Sequence, residues 1–126
     1  MKQNNKDIRG LMNSWVFNLA NYLMEEYCRP RKEAFRQAYL VRELLEALGK
    51  GVVTFEYEKQ DGTLREARGT LCHGISEKYD NYMYKTDMTA TNKNENESVF
   101  VYWDLDREAF RTFSAMKLRR IKTTNK

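Results

Sequence analysis

The chain reads as an α+β fold, with a helical hairpin over residues 1–49 followed by a small antiparallel β-barrel over 50–126. Three observations predict it. Apolar residues recur at helical spacing as far as Leu48. The period drops to two at Val52, and short strand-like runs separated by turn residues then follow one another to Lys122. With 126 residues, 41% hydrophobic and 13% aromatic, there is enough apolar surface for one core and too much for wholesale disorder.

In the first helix, Ile8, Leu11, Met12, Trp15, Leu19 and Leu23 form an amphipathic stripe that runs to Tyr27. Phe17, Ala20, Met24 and Cys28 add a thinner strip on the opposite side, so the helix is either sandwiched between layers or keeps a strip for a partner. Pro30, inside Arg29-Pro30-Arg31-Lys32, separates it from the next helix. That helix runs from Lys32 to Leu48, with Gly49 as its C′ residue. Ala34, Ala38, Val41, Leu45 and Leu48 make one stripe, and Leu40, Leu44 and Ala47 a second.

In the first strand, Val53, Phe55 and Tyr57 alternate with Thr54, Glu56 and Glu58. The length of the loop after it follows from the faces. A two-residue loop sets Phe55 and Tyr57 beside Glu66 and Arg68, which wastes the core. A three-residue loop, Gln60-Asp61-Gly62 with Gly62 at positive φ, sets them beside Arg65, Ala67, Gly69 and Leu71. The second arrangement is expected.

Tyr79, Tyr82 and Tyr84 suggest a short strand around 80–86, and residues 86–97 read as a flexible exposed loop. Ser98–Trp103 is a strand apolar on both faces, Val99, Val101 and Trp103 on one and Phe100 and Tyr102 on the other. Asp104–Glu108 is a tight turn, and strands follow at Phe110–Ser114 and Leu118–Lys122. Closing such a sheet into a barrel removes its edges.

Several of these runs resemble a family of small WYL-like proteins. The runs are Val53-Thr-Phe-Glu-Tyr57, Asp61-Gly-Thr-Leu-Arg-Glu-Ala-Arg-Gly-Thr-Leu71, Tyr102-Trp-Asp-Leu105 and Arg111-Thr-Phe113, within about residues 50–121. The resemblance implies an Sm-like, SH3-type barrel of the kind common in gut-bacterial mobile elements and phages. The wider group is thought to sense nucleic acid or nucleotide-like ligands. Its later Arg-Thr-Phe…Arg-Ile strand matches Arg111-Thr112-Phe113 and Arg120-Ile121, which implies anion contacts for those arginines. Tyr102-Trp103-Asp104 stands where the group has Trp-Tyr-Leu, and nothing is carried over there.

No constellation identifies a reaction, so the expected activity is non-catalytic. Adjacent Cys72 and His73, with Cys28 remote, lack the paired spacing of a zinc site, and neighbouring strand residues point to opposite faces. Asp104 and Asp106 fit a turn better than a carboxylate pair. No phosphate-binding glycine loop is present, and neither metal nor cofactor is expected. No run approaches the ~18 apolar residues of a membrane span, and with no targeting pattern the expected location is cytoplasmic.

A formal charge of +4 permits a phosphate-bearing partner. The candidate nucleic-acid or anion-binding residues are Arg111, Lys117, Arg119, Arg120 and Lys122, with Tyr102 to stack on a base. Arg29, Arg31, Lys32 and Arg36 form a second basic cluster between the helices. Within 101–121, Val101, Trp103, Phe110 and Phe113 are expected in the core with the arginines facing out. Two functions are in view: a nucleic-acid or nucleotide-binding accessory or regulatory factor of a phage or mobile element, and a protein-interaction or assembly component using the hairpin, including as a homo-oligomer.

Overall fold

The structure, a computed structural model, describes residues 2–85 and 98–125, with side chains over 15–84 and 98–122. The loop expected at 86–97 lies outside the described residues. Helices α1 (Lys2–Tyr27) and α2 (Arg31–Leu48) precede β1 (Val52–Glu58) and β2 (Leu64–Thr70). Helix α3 (Glu77–Lys85) follows, then β3 (Val99–Asp104), β4 (Ala109–Ser114), a single 3₁₀ turn (Ala115–Lys117) and β5 (Leu118–Asn125). The sheet is antiparallel with strand order β4-β3-β2-β1-β5, so the first strand pairs with the last.

The β1–β2 register is the one the three-residue loop demands. Phe55 faces Ala67, Tyr57 faces Arg65 and Val53 faces Gly69. The Lys59 N–H donates to the Thr63 carbonyl at 2.8 Å, closing the loop, and Gly62 has φ +91°. Asp61 accepts from the backbone N–H and the hydroxyl of Thr63, which holds its carboxyl below the ordinary range. Gly62→Val is expected to lower stability by about 1–2 kcal/mol, because a side chain there enters the left-handed region. An unchanged melting temperature contradicts the bulged turn.

Large and small side chains alternate across the inner face of the sheet. Phe55, Tyr57, Tyr102, Phe100 and Phe113 interlock at centroid separations of 5.0–6.2 Å, opposite Ala67 and Gly69. Phe55 lies edge-on to Tyr102, the better arrangement for two ring quadrupoles. Gly69 is small for a physical reason: a Cβ there would stand 2.6 Å from a Tyr102 ring carbon and 2.9 Å from the Trp103 carbonyl oxygen.

The hairpin closes over one side of this sheet. Val16, Leu19, Ala20 and Leu23 of α1, and Ala34, Ala38, Val41, Leu44 and Leu48 of α2, belong to the same buried cluster as Val53, Ala115 and Leu118. Polar contacts fix the docking. The Gln37 amide donates to the Ala115 and Leu118 carbonyls, both at 2.7 Å, at the two ends of the 3₁₀ turn. The Leu48 carbonyl accepts from the Leu71 N–H, and the Thr70 hydroxyl donates to the Gly51 carbonyl. Gly49 follows α2 at φ −71°, in the right-handed region, so no left-handed cap occurs there.

Two expectations are corrected. The strand expected at 80–86 is helix α3, with Ser76 accepting from the Tyr79 N–H at its start. Tyr79 and Tyr82 lie three residues apart and so share one face of it. They pack on Trp103 and Phe110, at 5.8 Å for Tyr79–Trp103 and 5.0 Å for Tyr82–Phe110. The faces of β3 also exchange roles. Phe100 and Tyr102 fill the barrel, while Trp103 is buried under α3 with Phe110 half-buried beside it, and Val101 is only half-buried. Phe113 is core, as expected. Both faces of β3 are covered, and this is why both are apolar.

Candidate nucleic-acid interface

Residues directly opposite each other on antiparallel strands share a face of the sheet. Arg65 pairs with Tyr57 and Arg111 with Tyr102, so both arginines continue the row of aromatic residues that fills the barrel. An arginine on an inner face must reach water or an anion, because an unpaired buried guanidinium is costly. Here the row opens into a cleft of about 640 Å³. Tyr57 and Phe113 line it together with Arg65, Arg111, Lys59 and Lys117, and Tyr27 at the end of α1 completes the wall.

These cations differ from Arg119, Arg120 and Lys122 on β5, which are paired with glutamates. The Arg111 Nε lies 3.3 Å from Asp104 Oδ2 without hydrogen-bond geometry, and the side chain is one-third exposed. Asp104 Oδ1 is occupied by the N–H groups of Asp106 and Arg107, which makes the tight turn expected at Asp104 and fixes the carboxylate behind Arg111. Arg65 and Lys117 have no ion-pair partner among the described residues. The acidic residues in the wall are engaged elsewhere, Glu58 with Arg119 and Asp61 with Thr63.

Behind the arginines, the Tyr57 and Tyr102 hydroxyls meet at 2.9 Å. Burial pushes the Tyr102 phenol well above its usual range, and the hydrogen bond it shares with Tyr57 adds to it. Tyr102 is therefore a neutral, fully buried core residue. Its expected role as a stacking platform is corrected: it is closed to any base, and the exposed tyrosine near the basic groups is Tyr27, 41% exposed.

The remaining expected site residues divide between two places. Arg119 pairs with Glu58 at 2.6 Å and Arg120 with Glu56 at 3.1 Å. Lys122 lies 3.3 Å from Glu66 and 3.8 Å from Glu56. Such surface pairs add little stability, about 0–1 kcal/mol each, but they cancel the local positive charge. Only Arg111 and Lys117 of the C-terminal set enter the cleft. In the second cluster, Arg29 lies 3.8 Å from Glu33 and Arg31 stacks over Phe35 at 5.1 Å. Lys32 and Arg36 are exposed, with no ion pair among the described residues. Reading the sequence missed Lys59, Arg65 and Tyr27 as site residues.

Elsewhere, His73 is exposed and its Nδ1 lies 3.2 Å from Asp80 Oδ1, so its polar contact ties the loop before α3 to that helix. Among the described residues no helix is long and apolar enough to cross a membrane.

The strand order, the 3₁₀ turn between β4 and β5 and the pairing of first strand with last define a small barrel of SH3 topology carried behind a helical hairpin. The chain belongs to the family described as WYL_2, Sm-like SH3 beta-barrel fold, whose model matches residues 41–119, more than half its length. The match begins within α2, the helix whose Gln37 and Leu48 hold the barrel. No curated protein and no solved structure matches the chain.

Proposed function

We propose that the protein is a non-catalytic binding module that takes the phosphate groups of a nucleotide or nucleic acid in the cleft at the open end of the barrel. The observation that carries this reading is the pair Arg65 and Arg111, set on the inner face of the sheet and opening into a basic cleft. Guanidinium groups match phosphate oxygens with two parallel hydrogen bonds, and the volume falls within the range of small-ligand sites. Service to a phage or mobile element belongs to the same proposal and rests on the family resemblance alone.

The alternative, assembly through the hairpin, draws on Phe17 and Tyr39, 46% and 47% exposed. Phe17 already packs against Phe35 between the two helices, at 5.8 Å. This reduces what the strip offers to a partner, and the cleft is the better-supported site. Salt separates the two readings. Binding of a fluorescent oligodeoxythymidylate is expected to weaken steeply with added salt, by a log–log slope of about −0.7 for each phosphate contacted on a single strand. A salt-insensitive complex, or none, contradicts the cleft reading.

A further inference from the structure

The cleft does not end at the barrel. Tyr27, which forms part of its wall, is the last residue of α1 and stands immediately before Cys28 and the Arg29–Lys32 run. Lys117, which also lines the cleft, belongs to the 3₁₀ turn, and Gln37 clamps that turn to α2 through two hydrogen bonds of 2.7 Å. Arg36 is the neighbour of that clamp, and Lys32 lies one helical turn earlier, about 6 Å along the axis. Two separate connections, one through α1 and one through α2, thus bring the cleft next to the start of α2. Arg65 and Lys117 in the cleft, and Arg36 and Lys32 on α2, each have no ion pair among the described residues.

We infer that the ligand is a single-stranded nucleic acid several nucleotides long, held with one phosphate between Arg65 and Arg111 and the following ones along Lys117, Arg36 and Lys32. Tyr27 stands where the strand leaves the cleft, placed to stack one base. This extension rests on the cleft reading above. A basic groove with an aromatic platform is the general solution for a flexible strand, because every base has a face to stack and every nucleotide a charge to neutralise. A duplex fits less well, since its bases are already stacked and offer Tyr27 no free face. On α2, Glu33, the residue after Lys32, is directed to Arg29.

The test measures affinity against length, using thymidine 5′-monophosphate and oligodeoxythymidylates of increasing length, with oligouridylates as a parallel series. Affinity is expected to rise with length and to level off within the about 4–16 nucleotides typical of one small barrel domain. Whichever series binds more tightly assigns the sugar. Lys32→Ala combined with Arg36→Ala changes two exposed residues and is expected to lower the salt slope of a long oligomer by about 1.4 units, two contacts at about 0.7 each. Monophosphate binding in that variant should stay as in the wild type. If the monophosphate binds as tightly as any oligomer, or the double variant binds long oligomers as the wild type does, the extended track is wrong while the cleft stands. If neither monophosphate nor oligomer binds, the cleft reading fails and the track fails with it.

Discussion

Deletion of residues 1–51 is expected to leave a chain with no cooperative thermal transition that aggregates on concentration. The hairpin contributes Val16, Leu19, Leu23, Val41, Leu44 and Leu48 to the common core, all buried. Each such side chain is worth about 1.5–3 kcal/mol when fully buried, so their loss is comparable with the about 5–15 kcal/mol stability of an entire domain. Polar groups are stranded too. The Leu71 N–H loses the Leu48 carbonyl, the Thr70 hydroxyl loses Gly51, and the Ala115 and Leu118 carbonyls lose Gln37. An unsatisfied buried group costs about 1–3 kcal/mol. A soluble barrel with the melting temperature of the full chain would show the helices to be an appendage.

Gly69→Val is expected to cost more than any other glycine substitution. The added Cβ starts 2.6 Å from the Tyr102 ring and 2.9 Å from the Trp103 carbonyl. The ring has nowhere to retreat, being set edge-on to Phe55 and hydrogen-bonded to Tyr57. Overpacking of this kind costs about 1–3 kcal/mol, and a fall in melting temperature on the order of 10 °C is expected. Combining it with Tyr102→Ala, which empties that space, should make the two effects less than additive. Independent, additive losses would place the clash elsewhere.

What the sequence disclosed depended on how local the deciding contacts are. The β1–β2 hairpin could be read to the residue because its register follows from one loop length and one face rule, and both concern neighbouring residues. The same register set Arg65 on the inner face beside Tyr57, which was the available signal for the cleft. Its meaning needed Arg111, brought alongside by β3 and β4 from a distant part of the chain. Helix α3 was masked by its tyrosines, which favour strands by propensity. Ser76 at its cap and the three-residue spacing of Tyr79 and Tyr82 pointed the other way. The neutralisation of Arg119, Arg120 and Lys122 could not be read, because it depends on how β5 returns beside β1. Register shifts between Thr54 and Phe55 and between Glu56 and Tyr57 adjust that pairing.

The contrast between the two groups of basic residues is the most direct test of where anions bind. Arg65→Gln with Lys117→Gln, and separately Arg119→Ala with Arg120→Ala, are compared in titrations of one oligodeoxythymidylate over a series of salt concentrations. The cleft pair is expected to lower the magnitude of the salt slope by about 0.7, for the phosphate that Lys117 contacts by itself, and to weaken binding further through the loss of Arg65 beside Arg111, with the thermal transition retained. The Arg119 and Arg120 pair, engaged with Glu58 and Glu56, is expected to leave the slope at the wild-type value. A wild-type slope for the cleft variant together with a reduced one for the Arg119 and Arg120 variant would move the site to β5 and contradict the cleft.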